Sequence, residues 1–200
     1  MDERISEILA NYRNTVKPLL ADIQARRSDG KLPSNFLNEI RALNDHIARC
    51  YRDGINDCDI ESELTKAEGH LRRLVYDCFK QLNIYINDTL ERKEKKYYSD
   101  LWLIHNGGTF WTNYSKCRKY AQQNVIEAKK SESINADQAM SYYEKAFQNY
   151  RKAEDLLINN KALMRRSRLK KHINKIRHFG WWFIVTLILS ILSSIIGIIW

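Results

Sequence analysis

The sequence predicts an all-α protein: a cytosolic helical bundle followed by a single C-terminal transmembrane helix. Three observations carry that reading. The 200 residues include only two prolines and seven glycines, and no stretch shows the apolar–polar alternation of a half-buried strand. Between Ile60 and Leu82 apolar residues recur in steps of three and four, the spacing that lines one face of a helix. The last twenty residues, Trp181 to Trp200, contain no charge and no proline. At ~1.5 Å per residue such a run extends roughly 30 Å as a helix, about the hydrocarbon thickness of a bilayer.

A first helix is read from about Glu3 to Arg27, kinked or interrupted at Pro18, whose ring and missing N–H disfavour a helix interior. Residues Ser28 to Pro33 form a turn, and Ser34 is placed to cap a second helix ending near Gly54. After Cys58 and Asp59 a long helix begins, with a stripe of Ile60, Leu64, Ala67, Leu71, Leu74, Cys78 and Leu82, as in a bundle or coiled coil. Asn106, Gly107 and Gly108 make the strongest break in the chain. Two helices follow, over about 109–130 and 136–162, the second read as continuing toward the C-terminus. Tyr142, Ala146, Tyr150, Ala153 and Leu156 resemble half of a tetratricopeptide repeat. No second copy recurs at the period of about 34 residues that such repeats need, so the spacing is read as ordinary helix packing. The chain thus divides into a bundle (1–160), a basic collar (161–180) and a membrane span (181–200).

The collar carries Lys161, Arg165, Arg166, Arg168, Lys170, Lys171, Lys175 and Arg177 and no acidic residue. Removing these eight cations from the total of 33 leaves 25 against 24 acids in residues 1–160. The basic character is therefore local and is no sign of general nucleic-acid affinity. Its two readings are attraction to anionic headgroups, at ~1 kcal/mol per cation, and contact with RNA phosphates. Positive flanks stay on the cytoplasmic side, which puts residues 1–160 in the cytosol, the span in the inner membrane and Trp200 outside. The charged start, Met1 to Arg4, is not a signal peptide. Cys50, Cys58, Cys78 and Cys117 show no CxxC spacing, so reduced thiols are expected, with no metal and no cofactor.

Two segments hold polar residues arranged beyond what a plain core requires. The first contains Glu39, Arg41, Asp45, His46 and Arg49; the second contains Glu63, His70, Arg73 and Asp77. Arg41 and His46 match an R-x4-H pattern, and in this the chain resembles the HEPN superfamily of small helical domains, many of which cleave RNA. The resemblance implies that arginine and histidine from two protomers stabilise phosphate charge and move protons during attack by the RNA 2′-hydroxyl, making Arg41 and His46 the catalytic candidates. Imidazole titrates near neutrality and guanidinium matches a phosphate, so the residue types suit that chemistry. The chain departs from the pattern in having Ala42 after the arginine and in carrying the motif early. Two other readings stay open: a network in which these side chains satisfy one another, and a site that senses a nucleotide or partner.

A HEPN-like helical domain joined to one membrane segment also resembles the transmembrane accessory proteins of type VI-B CRISPR systems. That resemblance implies antiphage defence, with assembly in the membrane and enhancement of an RNA-guided nuclease by permeabilising the infected cell. In the C-terminal run Thr186, Ser190, Ser193, Ser194 and Gly197 fall within an arc of roughly 100°. A stripe of small and hydroxyl residues lets helices approach closely or line a lumen; the plainer reading is hydroxyls bonded back to the preceding turn of a lone anchor. Three function classes follow. The leading one is a homo-oligomeric, membrane-permeabilising effector. The others are a membrane-tethered ribonuclease and a non-enzymatic anchored adaptor. The partners expected are the bilayer, a second copy of the chain, and an RNA-guided nuclease or RNA.

Overall fold

The computed structural model describes the backbone of residues 2–101 and 109–199, and the side chains of these except 97–101, 167, 168, 170, 171, 178 and 190–199. The described chain is helical, in the order α1 (Asp2–Asn11), a π-helical turn (Tyr12–Val16), α2 (Lys17–Arg26), α3 (Ser34–Arg49), α4 (Asp57–Leu101), α5 (Thr109–Ser131), α6 (Ala136–Asn159) and α7 (Lys161–Ile199).

The interruption expected at Pro18 is the π turn. A proline there removes the N–H that would reach Asn14, and its ring presses on that carbonyl. The chain widens just before it, with the Lys17 N–H donating to the Tyr12 carbonyl, so that Pro18 falls in the first turn of α2. Ser34 is not the cap of α3. Extended Pro33 occupies that position without a side-chain bond, and the helix starts at Ser34 itself. The same helix ends at Arg49, short of Gly54, which takes a left-handed φ of 75° in the turn that follows. Helix α4 opens on Asp57 and Asp59, favourable charges at the positive end of a helix. Asn56 accepts the Asp59 N–H at 2.8 Å. It then runs 45 residues, about 67 Å. The break expected at Asn106 to Gly108 lies outside the described residues. Asn135 caps α6 by accepting from the Asp137 and Gln138 N–H groups at 3.0 Å. Asn160, with φ −99° and ψ 10°, separates α6 from α7 where one continuous helix was expected.

Helix α4 is the wall on which two apolar clusters form. Toward its start, Leu64, Ala67, Leu71, Leu74 and Cys78 pack with Ile5, Val16, Ile23, Phe36 and Leu43 from α1, the π turn, α2 and α3. Farther along, Ile86 and Leu90 pack with Tyr114 and Ala121 of α5, Tyr150, Ala153 and Leu157 of α6, and Met164 of α7. On α6 the buried Ala139, Ala146 and Ala153 recur every seven residues, each followed four later by Tyr143, Tyr150 or Leu157. The small residues admit close approach of α5, whose Ala121 and Ala128 are also fully buried. The residues that resemble half a repeat are thus one stripe of this packing.

One ion cluster lies inside. Arg26 donates to both Glu154 oxygens, at 3.2 and 2.7 Å, and to Asp22 at 2.9 Å. The Arg26 and Glu154 side chains are only 13% and 9% exposed. Burial disfavours the ionised Glu154, but the Arg26 hydrogen bonds outweigh it and hold the carboxyl below its ordinary pKa.

The expected C-terminal transmembrane helix is corrected by the structure. Among the described residues no helix is long and apolar enough to cross a membrane. The first turns of α7 carry the basic collar, and Phe179 to Leu189 follow without a charged residue.

The Arg26–Glu154 pair yields a stability test. Glu154→Ala removes two of the three hydrogen bonds of the Arg26 guanidinium, leaving it Asp22, and lowers the unfolding free energy by about 1–3 kcal/mol, whereas Arg26→Met with Glu154→Leu recovers most of that loss. Urea unfolding followed by circular dichroism measures both.

Candidate functional site

Helices α3 and α4 are joined by the short turn 50–56 and lie antiparallel. Each carries a glutamate, a histidine seven residues later and an arginine three further on: Glu39, His46 and Arg49 on α3, and Glu63, His70 and Arg73 on α4. The two triplets are offset by 24 residues, and the apolar positions repeat with them, Ile40 with Leu64 and Ile47 with Leu71. In helical projection glutamate and histidine seven apart share a face. Antiparallel packing then sets each histidine against the other helix's glutamate.

The geometry is reciprocal. His46 Nδ1 lies 2.7 Å from Glu63 Oε2, and His70 Nδ1 lies 2.8 Å from Glu39 Oε2. The two rings stack, with centroids 5.1 Å apart and planes 22° from parallel. A carboxylate only accepts, so each Nδ1 carries the proton; His46 Nε2 remains for another partner, while His70 Nε2 lies 3.4 Å from an Arg73 guanidinium nitrogen that can donate to it. The histidine side chains are 14% and 17% exposed. Cations rim the pair: Arg49 reaches Glu63 at 3.7 Å, Arg73 reaches Glu39 at 3.5 Å, and Lys66 donates to Glu63 Oε1 at 2.7 Å. Donation from His46 first, and then from Lys66, lowers the Glu63 carboxyl from 4.5 to about 2.

The structure separates the sequence candidates. Glu39, His46, Arg49, Glu63, His70 and Arg73 converge. Arg41 does not join them. Five residues from His46, it sits about 140° around α3, is exposed, and makes no hydrogen bond or ion pair among the described residues. The R-x4-H residues are therefore not brought together within one chain. Asp45 is likewise exposed and unpaired among the described residues. Asp77 is half-buried beside the network; burial holds its carboxyl above its usual pKa, with Lys80 acting against this, Glu39 adding to it and Arg73 opposing it. Reading the two segments separately missed Lys66 and the 24-residue offset, which a position-by-position comparison of the two would have revealed. Among the described residues no group of three or more His, Cys, Asp or Glu could hold a metal ion. All four cysteines are free thiols, and burial pushes Cys78 up to about 12.

The second candidate surface is α7. Lys161, Arg165, Arg166, Lys175 and Arg177 are exposed on it, while the side chains of Arg168, Lys170 and Lys171 lie outside the described residues. Beyond them Phe179, Trp181, Trp182 and Phe183 are 62–76% exposed, and among the described large apolar side chains of the bundle only Ile134 is as exposed. Thr186 donates back to the Trp182 and Phe183 carbonyls at 2.8 and 2.9 Å, so its hydroxyl is satisfied within its own helix. Ser190, Ser193, Ser194 and Gly197, the rest of the expected stripe, lie outside the described side chains.

No protein family matches this sequence, and neither a curated protein nor a solved structure matches it.

Two outcomes test the paired histidines. His46→Ala or His70→Ala, each leaving a partly buried glutamate without its histidine donor, lowers stability by about 1–3 kcal/mol, whereas Arg41→Ala stays within about 0.5 kcal/mol. Thermal melts distinguish these values. The second concerns acid. Because folding depresses the Glu63 pKa, its contribution is fully present above about pH 4.5 and is lost as pH falls toward about 2. Urea midpoints measured across that window therefore fall less steeply in Glu63→Gln than in the parent.

Proposed function

We propose that this chain is a membrane-surface module, in which the helical body presents α7 to an anionic bilayer and holds a second copy or a partner there. The observation that carries it is the composition of one exposed helix. Residues 161–189 of α7 contain cations first and then large apolar side chains, with no carboxylate. Patches of exposed aromatic and aliphatic residues mark lipid or protein contacts. Cations followed by tryptophan favour the lipid, because anionic headgroups attract the first and the headgroup boundary accommodates the second.

Nothing in this reading asks α7 to cross. A helix can lie in the interface, with its apolar side chains about 5–10 Å deep and its cations at the headgroups. Phe179 to Leu189 supply the apolar side chains that enter the leaflet. The permeabilising activity expected of a membrane effector would draw on the same wedge, since bulky side chains pressed into one leaflet disturb its packing. The paired histidines serve this role as a clamp: they tie α3 to α4 and keep the body intact while α7 engages the surface.

Vesicle flotation of the full chain tests the proposal. Phosphatidylglycerol vesicles should carry the protein upward with a blue shift of tryptophan emission, and phosphatidylcholine vesicles should carry much less. Replacing Arg166, Lys175 and Arg177 by Gln removes about 3 kcal/mol of headgroup attraction, which weakens partitioning roughly a hundredfold. Equal binding to both vesicles, or no blue shift on either, would sink the reading. Release of a trapped dye from the anionic vesicles reads the effector activity in the same samples.

A further inference from the structure

Where α7 leaves the bundle it forms a groove of about 1060 Å³ with α4 and α6. Five cations border it: Arg92, Lys93 and Lys96 from α4, and Lys161 and Arg165 from α7. Among the described residues no carboxylate lines it. The apolar surface is built from Leu157, Ile158, Met164 and Leu169. Leu157 and Met164 are buried and make a floor, while Ile158 and Leu169 are 55% and 63% exposed and stand as walls.

Four of these charges, on Arg92, Lys93, Lys161 and Arg165, are only partly engaged inside the protein. Arg92 donates to the Asp88 carbonyl at 3.3 Å and to the Thr89 hydroxyl at 3.4 Å. Lys93 acts electrostatically on Glu154, which is already held by Arg26. Lys161 and Arg165 make no ion pair among the described residues. Like charges gathered on two sides of one groove repel one another, and an anion bound among them would relieve that repulsion. An inorganic anion would leave the apolar walls wet. An anion carrying an alkyl chain satisfies both surfaces.

We infer that this groove binds an anionic phospholipid, its phosphate among Lys161, Arg165 and the α4 cations and its acyl chain on Leu157, Ile158, Met164 and Leu169. The inference rests on the membrane-surface reading, because the lipid has to be within reach of α7. With α7 in the plane of the interface, the groove and the aromatic stretch meet the same leaflet. The groove then selects the lipid, and the aromatic stretch supplies depth.

The test uses the full chain on phosphatidylcholine vesicles doped with phosphatidylglycerol bearing a photoactivatable group on its acyl chain, with cross-linked peptides identified by mass spectrometry. Cross-links should fall on Ile158, Met164 and Leu169 as well as on the 179–189 stretch. Lys161→Gln with Arg165→Gln should lower the groove cross-links about tenfold while flotation persists through the remaining collar. Ile158→Ser, at an exposed wall position, should lower them without removing charge. Photoactivatable phosphatidylcholine should label 179–189 and spare the groove. Cross-links confined to 179–189, equal groove labelling by both lipids, or loss of groove labelling on adding inorganic phosphate would each overturn the assignment. A failure of flotation with groove labelling retained would sink the membrane-surface reading and leave the groove standing. Flotation without groove labelling does the reverse.

Discussion

Helix α4 stands to the rest of the chain as a common wall, and its length decides the architecture. A helix of 45 residues offers far more apolar surface than one neighbour can cover. The helices N-terminal to it close the first cluster, α5, α6 and the start of α7 close the second, and α6 touches both. Cooperative stability here comes from burying those stripes, since isolated helices of ten residues such as α1 and α2 are marginal in water. The ion pair of Arg26 with Glu154 bridges α2 and α6, so the two clusters are also joined by a charge contact that solvent does not screen well.

Helix positions were largely legible in the sequence, because the steps of three and four that mark a buried face are local. The stripe from Ile60 to Leu82 was readable for that reason, and its residues are nearly all buried. Ends were less legible, because they depend on which of two neighbouring groups wins a backbone bond. Pro33 displaced Ser34 from the cap position, and the strain at Pro18 was relieved by one wider turn rather than by a kink. The contact between Arg26 and Glu154 spans 128 residues and leaves no trace in local spacing. The membrane span failed for a different reason: composition over a twenty-residue window was read as a property of a helix, and among the described residues no helix is long and apolar enough to cross a membrane.

The paired histidines show how a local pattern gains meaning from packing. Read along one helix, Arg41 and His46 form a motif; read across two, the partners of His46 are Glu63 and His70, while Arg41 faces away. What the sequence held was a 24-residue offset between two similar triplets. What it lacked was the antiparallel register that sets Glu39 against His70 and His46 against Glu63. Given that register, one helix's contribution is nearly the mirror of the other's, and two similar segments build a contact with approximate two-fold symmetry inside a single chain.

The same separation of roles runs through α7. In the bundle, cations are matched to carboxylates of other elements: Arg4 to Glu61 and Glu68, Arg72 to Asp137, and Lys80 to Glu132 in the turn before α6. From Lys161 onward no carboxylate remains to match them. Unmatched like charges on one helix destabilise it by a few tenths of a kcal/mol per close pair, and large exposed apolar side chains gain nothing from water. Neither feature helps the isolated chain to fold. On the proposed reading both would be relieved together by a surface that is anionic outside and apolar beneath. The groove beside Lys161 and Arg165 repeats that pairing of charge and apolar area at the scale of a single lipid, so the proposed docking helix and the proposed lipid site rest on the same chemistry.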